Sequence, residues 1–207
     1  RMTGLFLTLE GGDGSGKSTQ MGALTAWLEQ QGRTVVQSRE PGGTDLGLEL
    51  REIVLHRRGF IAPRAEALLY AADRAHHIAT VVRPALERGD VVIQDRYLDS
   101  SVAYQGAGRV LKAREVRDLS LWATEGLLPD LTVLLDLDPA VGRERLTESR
   151  TRYDRLEAEE ADFHERVRAA YLALAEAEPE RFLVLNATRP VEELQQSIRD
   201  RVSHLLA

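Results

Sequence analysis

The residues with the most evident chemistry lie near the start of the chain, in LFLTLEGGDGSGKSTQ at positions 5–20. Gly11, Gly16, Lys17 and Ser18 fit G-x-x-x-x-G-K-[ST], with Gly12, Asp13, Gly14 and Ser15 between them and Thr19 after. Glycines at 11, 12, 14 and 16 keep side chains away from the backbone, so successive N–H groups can converge on phosphate oxygens. A helix beginning at the loop's end adds partial positive charge. Lys17 is placed to reach the β- and γ-phosphates of a nucleoside triphosphate. Ser18 can offer its hydroxyl to Mg²⁺, a hard cation that prefers oxygen. The apolar run Leu5 to Leu9 reads as a buried strand and Thr19 onward as a helix, the context this loop requires.

Three other stretches carry grouped charge. LLYAADRAHH places Tyr70 and Arg74 four apart on one helical face, which suits either an ordinary cation–π pair or a joint binding surface. DRYLDSSVAYQG places Asp95 at a strand end, where a carboxylate can hold Mg²⁺ or its water, and Arg96 beside it for a forked grip on phosphate. The alternative is a surface ion pair. ESRTRYDRLEAEE gathers Arg150, Arg152 and Arg155 just before an acidic helix, either as a solvated face or as a cationic segment with work to do.

The elements that must position these groups follow from periodicity. Met21, Leu24, Trp27 and Leu28 give a helix that stops at Gly32, and 34–38 is a second strand. Thr44 or Asp45 caps a helix over 46–56. Pro63 opens a long helix whose buried stripe is Ala65, Leu68, Leu69, Ala72, Ala79 and Val82, kinked at Pro84. Strands are expected at 91–94, 131–137 and 182–185, with helices over 113–125, 139–148 and 191–206. Continuous Val/Ile/Leu strands alternating with helices describe an α/β fold, a parallel central sheet of about five strands covered by helices on both faces. Ligands in such sheets bind at the strands' carboxyl ends. That rule gathers Gly11 to Ser18, Arg39 to Thr44, Asp95, Arg96, Asp136, Asp138 and Asn186 along one edge.

Composition bounds the partners. A chain of 207 residues, 43% hydrophobic, suits one domain, 1–207. Its formal net charge of −6 favours no nucleic acid partner. The lack of cysteine excludes disulfides, thiolate metal sites and cysteine nucleophiles, and is compatible with the cytoplasm. No apolar stretch reaches the length of a membrane span. The start enters a strand instead of a signal peptide, with Arg1 read as an addition before Met2.

A phosphate-binding loop alone does not name a reaction. A guanine switch needs N-K-x-D, and the single asparagine, Asn186, is followed by Ala187. An assembly-driving ATPase and a small-molecule kinase remain. The kinase needs a second anionic site, for which Arg74, Arg96 and the 150–155 arginines are candidates.

Taken together, EGGDGSGKST, REPGGT, LLYAADRAHHI, DRYLDSSVAYQG, PDLTVLLDLDP and DRLE, in this order over nearly the whole chain, closely resemble thymidylate kinase. The resemblance implies a P-loop kinase architecture with a lid at about 149–160, transferring the γ-phosphoryl of ATP to dTMP with Mg²⁺ as cofactor, in a homodimer. It implies that Asp13 contacts the deoxyribose 3′-hydroxyl, Tyr70 stacks on thymine, Arg74 reads the base and Arg96 grips the dTMP phosphate. Ser101, Tyr104 and Gln105 would line the nucleoside pocket, Tyr104 crowding out a 2′-hydroxyl, and Tyr171 would close it. The P-loop carries no arginine, which resembles the bacterial type whose catalytic arginine sits in the lid. Arg155 in DRLE is the best match, with Arg152 and Arg150 beside it. The acceptor phosphate, already ionised at neutral pH, would attack without a general base, and catalysis would be positioning plus electrostatics. A related kinase acting on a nucleoside or another monophosphate is the runner-up.

Overall fold

The apolar runs form five parallel strands: β1 (Leu5–Glu10), β2 (Val35–Arg39), β3 (Val91–Asp95), β4 (Leu131–Asp136) and β5 (Phe182–Asn186), in the order β2-β3-β1-β4-β5. The computed structural model describes residues 2–149 and 152–207. Register places Leu9 opposite Asp95, Arg39 opposite Asp95 and Asp136 opposite Asn186, so the expected carboxyl edge is assembled.

Alternation along β1 divides the core. Leu5, Leu7 and Leu9 pack with Met21, Leu24 and Leu28 of α1 (Lys17–Gln30) and with Ile198 and Val202 of the C-terminal helix, Val191–Leu206. Phe6 faces the other way, onto Ile78, Val82 and Leu86. Helices therefore cover both faces of the sheet. α2 (Asp45–Arg51) is capped by Thr44, whose hydroxyl accepts from Gly47 N at 2.8 Å, and it runs on as a π-helical turn, Glu52–His56. α3 (Pro63–His77) passes through another π turn, Ile78–Val82, into α4 (Arg83–Glu87). Pro84 lies at that join, since it has no N–H to return to the preceding turn.

One expectation changes. The long helix was expected to bury Ala65, Leu68, Leu69, Ala72 and Ala79, but Leu68 is 57% exposed, and the inward face carries Glu66, Ala67, Tyr70, Ala71, Asp73, Arg74 and His77. The inward face is polar because it walls a cavity instead of an oil-like core. The segment after Arg96, to which the sequence reading assigns no element, is helical: α5 (Leu98–Ser101) continues as a π turn, Val102–Ala107. α6 (Ala113–Ala123), α7 (Pro139–Ser149) and α8 (Ala161–Ala177) follow. α8 packs Phe163, Val167 and Tyr171 over Leu134 of β4.

Candidate active site

The strand ends enclose a cavity of about 450 Å³, walled by Asp13 to Thr19 on one side and by Arg39, Arg51, Tyr70, Arg74, Asp95, Arg96, Ser101, Tyr104 and Gln105 on the others. Its floor is the loop between β1 and α1. Gly11 has φ +144°, and a Cβ there would stand 2.6 Å from the Leu135 carbonyl oxygen. Gly14 has φ +73°, and its Cβ would stand 2.6 Å from that of Gly142. The loop thus needs these glycines twice over, for their dihedrals and for their closeness to β4 and α7. The first N–H groups of α1, from Lys17 onward, have no intrahelical partner and open on the cavity. Lys17 Nζ donates to the Gly11 carbonyl at 3.3 Å and lies 3.9 Å from Asp95 Oδ1. Burial pushes the Lys17 ammonium down from its ordinary range and the Arg96 charge adds to this, while Asp95 and Asp13 oppose it. Among the described residues Asp95 Oδ1 and Ser15 Oγ are buried without a hydrogen-bond partner, and Ser18 borders the same space.

Arg96 marks the turn out of β3. Its φ is +67°, a left-handed conformation that costs a non-glycine residue energy, while its N–H is still held by the Leu9 carbonyl at 3.0 Å. The turn throws the side chain across the cavity. Nη1 donates to Ser100 Oγ at 3.3 Å and to Tyr171 Oη at 3.2 Å, Nη2 lies 3.6 Å from Asp13 Oδ1, and the guanidinium sits 5.1 Å from the Tyr104 ring centre. Beneath it is Glu10, fully buried, accepting from Tyr97 N at 2.7 Å, from Tyr171 Oη at 2.8 Å and from Ser100 Oγ. Burial, then the Asp99 charge, pushes the Glu10 carboxyl up to about 7, against the pull of Ser100, Arg96 and Tyr171.

Beyond Arg96 the cavity narrows to a slot. Tyr70 packs with Val54 and Leu55, and Leu156 covers them. Arg74 is fully buried: Nε donates to Glu40 Oε1 at 2.7 Å, Nη1 to Ser101 Oγ at 3.0 Å and Ser120 Oγ at 3.1 Å, and Nη2 to the Tyr97 carbonyl at 3.2 Å. Four of its five N–H groups are thereby committed, and one remains. Its aromatic neighbour is Tyr97, 5.7 Å away, so the Tyr70–Arg74 spacing is put to use as two adjacent wall positions. Burial raises the Tyr70 and Tyr104 phenols, keeping them protonated. Tyr70 Oη, Tyr104 Oη and Gln105 Nε2 are buried on this wall without a hydrogen-bond partner among the described residues, as in a site shaped for a polar guest.

The two described arginines of the segment after α7, Arg152 and Arg155, lie elsewhere. Arg155 Nη1 is 2.9 Å from Glu66 Oε2 and donates to the Val54 carbonyl at 2.6 Å, while its backbone N–H is held by the Leu55 carbonyl at 2.9 Å. It is neither on the cavity wall nor on a solvated face. Arg152 is exposed and borders a separate hollow with Glu52 and His56. Arg150 lies outside the described residues. Asp154, Leu156 and Glu157 from the same segment do reach the cavity.

Several groups at the site have no individual role assigned from the sequence. Glu10 and Glu40 are buried carboxylates inside quoted motifs, the latter joining Arg74 to His77, whose Nδ1 is 2.8 Å from Oε2. A charge at the end of an apolar strand is the one hint Glu10 offered. Arg39 and Arg51 face the P-loop from β2 and α2, and Arg51 is tied to the Pro41 carbonyl at 2.8 Å.

Known proteins resemble this chain. The family model described as Thymidylate kinase matches residues 9–198. A thymidylate kinase of Leifsonia xyli subsp. xyli is 76% identical over 199 residues, covering 96% of this chain and 94% of that one. One of Clavibacter michiganensis subsp. michiganensis is 72% identical over 206 residues, covering 100% and 98%. A crystal structure of thymidylate kinase from Ehrlichia chaffeensis superposes with a TM-score of 0.79 at 27% identity, covering 96% of this chain and 98% of that one. With a P-loop facing an aromatic and arginine-lined slot, and with relatives matching from end to end, the chain belongs to the thymidylate kinase family.

Proposed function

We propose that the protein transfers the γ-phosphoryl group of ATP to dTMP, giving ADP and dTDP, in the cytoplasm. The observation that carries this reading is one continuous cavity in which Arg96 stands between the P-loop and the slot of Tyr70, Arg74 and Tyr104. ATP phosphates would lie on the backbone of Gly11 to Thr19 with Lys17 at the transferred group. The Asn186–Thr188 turn, which Arg145 ties to Gly14 by donating to the Gly14 carbonyl at 3.1 Å and the Ala187 carbonyl at 3.5 Å, would border the adenine. Thymine would stack on Tyr70 and meet the remaining Arg74 N–H, Ser101 and Gln105. Asp13 would take the 3′-hydroxyl and Tyr104 would exclude a 2′-hydroxyl.

Asp95 and Ser18 suit Mg²⁺: among the described residues a buried carboxylate oxygen without a hydrogen-bond partner lines the same cavity as a hydroxyl, and no cluster of three or more His, Cys, Asp or Glu forms a protein cage. Mg²⁺ typically takes one or two protein ligands and completes its shell with phosphate and water. When bound, it would neutralise charge on the donor phosphates. The acceptor phosphate needs no base, because it is already ionised. Two anions must still be brought into contact, and Lys17, Arg96 and a lid arginine, Arg155 or Arg152, would offset their repulsion while closure of the segment around 149–160 excludes water. The apolar residues left outside on α3 and α6, Leu68 and the 80%-exposed Trp122, support a homodimer in which a second copy covers that face. Sedimentation of the protein as a monomer would remove that part.

An ADP-release assay with ATP, Mg²⁺ and a panel of acceptors tests the assignment. The expected result is turnover with dTMP and essentially none with AMP, GMP or unphosphorylated thymidine. Preference for any of those three overturns it.

A further inference from the structure

Glu10 does not line the cavity, yet it controls the surroundings of the residue that does. Its Oε2 receives hydrogen bonds from both Ser100 Oγ and Tyr171 Oη, two oxygens 2.9 Å apart, and both of these in turn accept from Arg96 Nη1. A hydroxyl has one hydrogen and two lone pairs. When Glu10 is ionised it can take both hydrogens, in place of the bond the two hydroxyls could otherwise share; only lone pairs then face Arg96, and each N–H of Nη1 has one hydroxyl to meet. The remaining edge of the guanidinium is left toward the cavity and Asp13. The other charges around the carboxylate do not compete for this duty. Asp99 is occupied by Arg181 at 2.7 and 2.9 Å, and the second Glu10 oxygen by Tyr97 N.

We propose that Glu10 is a positioning residue for the acceptor phosphate: by taking the hydroxyl hydrogens of Ser100 and Tyr171 it turns their lone pairs to Arg96 and aims the guanidinium. Because Glu10 is the last residue of β1 and Gly11 the first of the P-loop, the same carboxylate fixes the acceptor grip relative to the donor floor. The inference rests on reading Arg96 as the grip on the dTMP phosphate.

Glu10→Gln is nearly isosteric but replaces one accepting oxygen by a donating amide, so at least one hydroxyl must turn its hydrogen toward Arg96. Calorimetry with dTMP and with thymidine, which lacks the phosphate, reads the consequence. The expected result is dTMP binding weakened about tenfold to a hundredfold, the range of a lost charge-assisted hydrogen bond, with thymidine binding essentially unchanged and KM for dTMP affected more than kcat. Tyr171→Phe should shift dTMP binding the same way by a smaller factor, and it alone decides the matter if Glu10→Gln fails to fold. Unchanged dTMP binding, or equal weakening of dTMP and thymidine, overturns the positioning role. Arg96→Ala measured alongside separates the two claims: if it binds dTMP as the unaltered protein does, the reading of Arg96 falls, and the inference with it. If it is weakened while Glu10→Gln is not, only the inference falls.

Discussion

Two arginines, one on the cavity wall and one behind it, are held by opposite means. Arg96 is held by hydroxyls: Ser100 and Tyr171 lend it lone pairs, and its nearest carboxylate, Asp13, is 3.6 Å away. Arg155 is held by a carboxylate, with Glu66 at 2.9 Å and only 1% exposed. Neutral acceptors fix a guanidinium without discharging it, so Arg96 stands ready for an incoming phosphate. Arg155 is already neutralised, and to meet a phosphoryl group it must exchange one anion for another. Glu66 is not stranded by that exchange, because Arg109 also holds it, at 3.2 Å through Nε. A buried carboxylate that lost its last cation would cost about 3 to 5 kcal/mol, and the second arginine lowers that barrier. On the proposed reading, Arg96 serves acceptor binding and Arg155 a later event.

Experiments can break this contrast at several scales. The largest effect should come from Lys17→Ala, which removes the cation at the donor phosphates. We expect kcat/KM to fall by roughly a thousandfold or more with dTMP affinity nearly intact, read by coupled assay and calorimetry. Retained turnover would take the P-loop out of the mechanism. A smaller effect sharpens the description of the slot: dUMP, which lacks only the thymine methyl, should lose about 1 to 3 kcal/mol in kcat/KM and remain a measurable substrate. Complete rejection of dUMP would mean that the slot discriminates by more than contact. The smallest effect concerns α3, between the two arginines. Burial, then the Glu40 charge, pushes Asp73 up from 3.8 to about 6, so its contribution to stability is fully present below 3.8 and is lost as pH rises through about 6. Asp73→Asn, which can still accept the Gly42 N–H, should flatten that part of the stability profile in denaturant titrations. An unchanged slope would show that Asp73 is not the group responsible.

The floor and the sheet were legible because their signals are local. Leu5 to Leu9 and Leu131 to Leu137 announce strands by composition, and the P-loop by spacing. The long helix after Pro63 was legible as a helix but not in its orientation. Leu68 and Ala72 face outward, while Glu66, Asp73, Arg74 and His77 turn in, and hydropathy puts such a face on the wrong side wherever a helix walls a polar cavity. The helical segment after Arg96 escaped for the same reason: Ser100, Ser101 and Gln105 are buried polar residues that break up its short apolar stripe of Leu98 and Val102. Arg155 could be recognised as a special arginine from DRLE, but its partner Glu66 lies 89 residues away, a separation that no local pattern bridges.

The contrast between the two arginines is tested most directly by measuring kcat and dTMP affinity for Arg96→Ala and Arg155→Ala side by side, with an Arg152→Ala/Arg155→Ala double variant. Arg155→Ala should lower kcat by on the order of 10² and leave dTMP binding essentially unchanged, whereas Arg96→Ala should weaken dTMP binding as well, its partner being charged before the reaction begins. A near-normal kcat in both Arg155→Ala and the double variant, or a loss of dTMP affinity in Arg155→Ala as large as that in Arg96→Ala, would contradict the account.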